Sequence, residues 1–337
     1  MAVPFANEGT EGTEGTEGTE GTEGTSASTF ALSGISAYSG KVTSPLLAFA
    51  LWNTQGELTR SYGGTVGNPD ATVGRLPLDV AFSRWSPEVR GHQYLFELVS
   101  KLSFDGGVAN MARLQFPVGT TGVAANPFVM NAPTYEGLPQ PNSLTDELRK
   151  VLDAAALRYD RKEEILTQVA VPYAFFAMVL NMQPGRHRFT FELMSALFNL
   201  TDKVVMQFKH HFRVRRPADH SPLVQPILQT PNHSSYPAGH STQCFFVANV
   251  LKALLKNGAG VYPQGPDIVD QLDKLAQRIS DNRVVAGVHF PEDMAKGADL
   301  GKQLAQYFIY MATKPLVAGT DATAVQWLWG KARAEWI

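Results

Sequence analysis

Five prolines, at positions 217, 222, 226, 231 and 237, fall within residues 216–239. Each lacks a backbone N–H and biases the residue before it away from the helical region. No regular element is expected to cross such a stretch, so it reads as an ordered loop between two helical blocks. The block before it carries Leu193, Leu197, Leu200, Val204 and Phe208. These spacings of three and four make one apolar stripe on a helix that begins near Thr190 and ends at Lys209. The block after it starts near Gly239 and His240 and runs through Cys244, Val247, Leu251 and Leu255 towards Gly258.

Helical texture extends over most of the chain from Ser143 onward. Ser143 or Thr145 caps a helix with acids in its first turn, reaching about residue 159. Another covers residues 162–182, bent or broken at Pro172, and Pro184-Gly185 ends it. Further helices are expected over 267–285, from Pro291 to about 313, and over 322–335. Earlier in the chain, Ser86-Pro87-Glu88 is a start signal for a helix over residues 87–102. Residues 116–142 hold several Pro, Gly and Asn and read as one long loop, a candidate rim or lid. With seven or eight helices and no convincing alternating strand, the expected fold is an all-α helical bundle.

Three regions are expected. Residues 1–27 contain six copies of Glu-Gly-Thr, with no apolar residue to offset the entropy of ordering. They read as a disordered acidic tail. Residues 28–142 form an N-terminal covering region of loops and a few helices, with a weak helical signal at the apolar run 46–52. Residues 143–337 form the bundle itself.

Charge and cysteine usage narrow the function classes. The formal net charge is −2. It becomes +4 once the six glutamates of the repeat are set aside, and neither value attracts the whole molecule to nucleic acid or membrane. Cys244 is the sole cysteine, which excludes an intrachain disulfide and a Cys-rich zinc site. It reads as a small buried hydrophobe. No signal peptide is apparent, and the longest apolar run, 169–180, is too short to span a bilayer and contains Pro172. The expectation is a cytoplasmic or otherwise soluble protein with no membrane anchor.

Within residues 209–293 three short clusters carry the chemistry. The first holds Lys209 and Arg216-Pro217. The second is Pro237-Ala238-Gly239-His240. The third runs from Asn282-Arg283 to His289 and Asp293. A tetrahedral oxyanion needs charge-assisted hydrogen bonds from several directions. Lys209 offers a point charge, and Arg216 and Arg283 offer forks. Gly239 lets backbone N–H groups approach at a helix N-terminus, itself an anion site. His240 stands there as a candidate general acid and base. Asp293, four residues after His289, can fix that imidazole's tautomer, leaving its other nitrogen to attack phosphorus or ligate a metal centre. Taken singly, a solvated basic run, a turn with a capping histidine, or an arginine on a helix face explains each cluster. Their order and spacing together do not reduce to those readings.

The three clusters together resemble the motifs of the superfamily that joins vanadium-dependent haloperoxidases with class A acid phosphatases and type 2 phosphatidic acid phosphatases. Those motifs are Lys-x6-Arg-Pro, Pro-Ser-Gly-His and Ser-Arg-x5-His-x3-Asp. The resemblance implies a helical bundle of the vanadium haloperoxidase and acid phosphatase type. It assigns the equatorial oxygens of the oxyanion to Lys209, Arg216, Arg283 and the Gly239 amide. It makes His240 the acid–base residue. His289 becomes the axial ligand of vanadate or the nucleophile of a phosphohistidine pathway, with Asp293 orienting it. The chain departs from the motifs at Ala238, where a serine hydroxyl is expected, and at Asn282. Ser241 or water is a candidate substitute for the missing donor.

Two chemistries follow from that resemblance. In one, a resident vanadate cofactor activates hydrogen peroxide, Lys209 assists, and a halide is oxidised for transfer to an organic acceptor. In the other, a phosphate ester is hydrolysed through His289 and His240, with no cofactor. His233, seven residues before His240, resembles the bromoperoxidase pattern and is a candidate for the halide or substrate pocket. It favours the first chemistry and bromide. A loop histidine with a satisfied hydrogen bond is the alternative reading of His233. A non-catalytic oxyanion-binding protein of the same fold is a third possibility. Arg213 and Arg215 would steer anions or form a solvated face. His210 and His211 diverge by about 100° on a helix and read as partly exposed neighbours of the pocket. A homodimer is expected by family analogy.

Overall fold

The computed structural model describes residues 76–117, 127–135, 143–169, 172–256, 266–316 and 319–336. The expected tail 1–27 and the apolar run 46–52 lie outside the described residues. The elements are α1 (Leu78–Arg84), α2 (Pro87–Val99), β1 (Ser103–Val108), β2 (Met111–Gln115), β3 (Phe128–Asn131), α3 (Ser143–Ala154), α4 (Arg158–Thr167), α5 (Tyr173–Leu180) and α6 (Arg188–Phe212). There follow α7 (Pro217–His220), α8 (Gly239–Lys256), α9 (Pro266–Val285), α10 (Pro291–Thr313) and α11 (Ala324–Ala334). The fold is all-α in class, as the periodicity implies.

The helix α8 is the centre. Val247, Val250, Leu251 and Leu254 are buried on it, and so are His240, Thr242 and Gln243. A helix buried on nearly all sides belongs to the middle of a bundle. It packs most extensively on α10, then on α9 and α6. Gly301 makes the α8–α10 approach possible. A Cβ there would lie 3.0 Å from the Phe246 nitrogen and closer still to the carbonyl of Thr242. Two helices can then meet backbone to backbone where a side chain would hold them apart.

Several expectations are corrected. The segment 103–131 carries a three-stranded antiparallel sheet of order β1-β2-β3, where no strand was expected. Phe104 pairs with Leu114, and Leu114 with Phe128. Asp105-Gly106-Gly107 in β1 breaks the alternation that marks a strand, and the sheet is held by packing onto α6. The rings of Phe104 and Phe128 lie edge-on to Phe208 at 5.0 and 6.2 Å. The span 116–142 is therefore not one loop, because β3 lies within it. The proline-rich stretch is also more regular than expected. Pro217 opens the single turn α7 and Pro222 a 3₁₀ turn, since proline is tolerated at the first position of a helix. The expected helix to residue 159 instead ends at Ala154. A 3₁₀ turn over Ala155–Leu157 then leads into α4.

Other boundaries agree. Ser86 caps α2, its Oγ accepting from Val89 N at 3.4 Å. The run through Pro172 is broken into α4 and α5. Pro291 opens α10, which ends at Thr313 as expected.

Candidate oxyanion site

Lys209 lies in the last turn of α6, where burial against the stripe reduces its exposure to 1%. Its Nζ donates to the carbonyl oxygens of Ser234 and Ser235 at 2.6 and 3.0 Å. Arg213 ends that helix in the left-handed conformation, with φ 53°. The chain then turns back, and Arg216 comes to lie beneath it, also buried. Its Nε donates to the His233 carbonyl at 3.0 Å and its Nη1 to that of Val288 at 2.9 Å. Carbonyl dipoles orient these two cations without cancelling their charge.

The third cluster begins at the end of α9. Gly287, at φ +86°, turns the chain between that helix and α10, a conformation glycine adopts without cost. His289 follows, fully buried. Its Nδ1 faces Asp293 Oδ2 at 3.0 Å, and its Nε2 lies 3.5 Å from Arg216 Nη1. A guanidinium can only donate and an ionised carboxylate can only accept. The proton is therefore on Nδ1, and the unprotonated Nε2 is turned towards the cations.

Asp293 is held by four donors. Besides His289, these are Ser235 Oγ at 2.6 Å, Phe290 N at 2.9 Å and the phenol of Tyr135. Burial alone would raise its pKa. The hydrogen bonds from His289, Ser235 and Tyr135 outweigh burial and hold the carboxyl below the usual range. Ser235 and Tyr135 were not singled out from the sequence. Ser235 sits among loop serines, and Tyr135 lies in a stretch read as a rim or lid.

His240 opens the central helix beside Gly239 and is fully buried. Its Nε2 lies 2.8 Å from the backbone carbonyl of Gln168, just past α4. Arg283, on the last turn of α9, donates from Nη2 to Ile165 O at 3.1 Å and approaches Gln168 Oε1 at 3.4 Å. The residue that joins His240 to Arg283 is thus Gln168, which carries no motif.

The two departures from the expected motifs have different surroundings. Ala238 is fully buried, and its backbone N–H donates to Asp293 O at 3.1 Å. Ser241 does not take over the missing hydroxyl's role. It donates to Met294 O at 2.7 Å and lies 2.8 Å from the Ser280 hydroxyl that donates to it. Asn282 contacts Arg161, Glu164 and Gln168, a set of partners that a serine is too short to span.

A cavity of about 570 Å³ opens against Lys209 and Arg216, lined also by His210, Arg213, Arg215 and His233. His233 is brought to the clamp, its Nδ1 3.2 Å from Arg216 Nη2 and 3.0 Å from Ser234 O. His210 is exposed on this cavity, while His211 is half-buried, packed edge-on to Phe104. Cys244 is an inert core residue, its thiol pushed well up by burial. A second cavity, of about 550 Å³ and walled by Trp85, Phe189 and Trp327, lies at the opposite end of α6.

The donor set suits an oxyanion. Lys209 and Arg216 line one cavity, Arg216 reaches His289, Arg283 and His240 both contact Gln168, and the Asp293 carboxylate is turned onto His289. Among the described residues, no three His, Cys, Asp or Glu side chains group as a cation site. No helix among them is long and apolar enough to cross a membrane.

Comparison with known proteins bears on the same residues. Residues 215–318 match the family model described as the VCPO second helical-bundle domain. That span contains Arg216, Gly239, His240, Arg283, His289 and Asp293, and begins just after Lys209. A vanadium-dependent bromoperoxidase of Ascophyllum nodosum is 33% identical over 94 residues, a match covering 22% of this chain. The chain spans only 17% of that relative's length.

Proposed function

We propose that this chain, which belongs to the vanadium-dependent haloperoxidase superfamily, is a haloperoxidase that oxidises halide with hydrogen peroxide, bromide being favoured. The observation that carries the reading is the orientation of His289. Its Nδ1 is fixed by Asp293 and its Nε2 is presented to Arg216. Such a nitrogen is set up to ligate the centre of an oxyanion.

Vanadate, when bound, supplies a Lewis-acidic centre that activates peroxide towards halide. The remaining roles belong to the chain. Lys209, Arg216 and Arg283, with the Gly239 amide at the head of α8, would hold the oxyanion. His240 holds the proton that peroxide must give up and returns it to the departing oxygen. Asp293 keeps the His289 proton on Nδ1. The cavity with His233, Arg213 and Arg215 draws in halide and admits an organic acceptor. The bromide preference rests on His233 and on the bromoperoxidase relative. We read residues 143–337 as the catalytic bundle and residues 28–142 as its cover.

A second reading rests on the same Nε2. It would attack the phosphorus of an ester, His240 would protonate the leaving oxygen, and water would release phosphate from the histidine. One pair of assays separates the readings. Protein loaded with orthovanadate should brominate a diketone probe only when peroxide and bromide are both present. Phosphate-ester turnover that vanadate inhibits would replace the first reading with the second. Anion binding with neither activity would mark a non-catalytic member of the superfamily.

A further inference from the structure

We infer that Gln168 is the positioning residue for one half of the oxyanion site, fixing His240 through its main chain and Arg283 through its side chain. The inference rests on the proposed roles of those two residues. Gln168 caps the C-terminus of α4, its N–H bonded to Glu164 O at 3.1 Å and Ile165 O at 3.2 Å. It is fully buried.

The orientation of every amide follows from donor and acceptor rules. Arg161 can only donate, so the atom of Asn282 that faces it at 3.2 Å is Oδ1. Asn282 Nδ2 therefore faces Glu164 and Gln168, both at 2.9 Å. Gln168 then presents Oε1 to Asn282 and to Arg283, and Nε2 to Glu164 Oε1 at 3.0 Å. Glu164 is anchored in turn by Arg278 at 2.8 Å. Its carboxyl is kept low by Arg278, Asn282 and Gln168, against the upward push of burial.

Two consequences reach the oxyanion. A backbone carbonyl only accepts, so the contact with Gln168 O puts a proton on His240 Nε2. Proton exchange with substrate then runs through Nδ1. The neutral Oε1 aims Arg283 without neutralising it, which a carboxylate at that position would do. Asn282 thus acquires a function as the bridge between α9 and α4.

The test uses the full chain, with inorganic phosphate and orthovanadate as probes in calorimetric titrations. Gln168→Met keeps the length and the carbonyl but removes the amide, and should weaken binding by about 5- to 20-fold. Gln168→Glu should weaken it further, because its charge competes with the anion for Arg283. Asn282→Ser removes the bridge without altering α4, should act in the same direction, and serves if Gln168→Met does not fold. In the wild type, ¹⁵N spectra of labelled histidine should show His240 as the Nε2–H tautomer. Wild-type affinity in all three variants, with binding lost in Arg283→Ala, would overturn the role of Gln168 and leave the site standing. The opposite His240 tautomer would overturn it as well. A wild type that binds neither anion would overturn both the role and the site.

Discussion

The phenol of Tyr135 donates to Oδ1 of Asp293, although 158 residues separate them in the chain. The contact joins the segment that follows β3 to the buried carboxylate behind His289. Neighbouring contacts strengthen the joint. Thr134 donates from its backbone N–H to Glu292 at 3.0 Å, and the Tyr135 ring lies 4.2 Å from that of Phe290.

Tyr135→Phe removes a donor to an ionised group and should cost about 1.5–3 kcal/mol of stability, read as a lower denaturant midpoint. It should also move the acid limb of activity. The folded-state pKa of Asp293 is depressed. Its stabilisation is complete above the unfolded-state value and drains away as pH falls through the lowered one. With one donor gone, that loss begins at higher pH. An acid limb identical to the wild type would show that Tyr135 does not reach the carboxylate in solution.

His289→Ala should remove at least about 100-fold of whichever turnover the wild type shows, bromination or ester hydrolysis, because both need the same nitrogen. Steady-state assays with and without vanadate decide it. Turnover near the wild-type level would dismiss the whole site assignment.

Ala238→Ser restores the hydroxyl that the superfamily's motifs place here. A neutral donor is worth about 0.5–1.5 kcal/mol, so phosphate or vanadate should bind roughly 2- to 10-fold more tightly by calorimetry. No gain would mean that position 238 does not face the anion.

Gly301→Ala should destabilise the fold by about 1–3 kcal/mol, since its methyl would press on the backbone of α8. Thermal denaturation would reveal it. An unchanged midpoint would contradict the close α8–α10 approach.

The residues proposed for the site are those whose chemistry is explicit in the sequence. Lys209, Arg216, Gly239, His240, Arg283, His289 and Asp293 all fall at helix ends or in the loops beside them, where periodicity and proline placement had put them. What the sequence concealed depends on tertiary contact. Gln168 acts partly through a main-chain carbonyl, which every residue possesses. Ser235 matters because it is buried against Asp293, and nothing in Ser234-Ser235 distinguishes the two. The strands were hidden because β1 carries two glycines and owes its place to Phe208 on α6. Ser241, next to the histidine and of the right type, was a natural substitute for the missing hydroxyl until its bond to Met294 was seen.

The bond from Phe290 N to Asp293 Oδ2 has an evolutionary reading. That carboxylate also satisfies one of the orphan N–H groups at the head of α10. A descendant that abandoned its chemistry would still be under selection to retain the aspartate, simply to keep the helix from fraying. His289 is not part of that capping contact. In sorting working relatives from retired ones, the aspartate should therefore be discounted, and the histidine is the residue whose loss would be the telling mark.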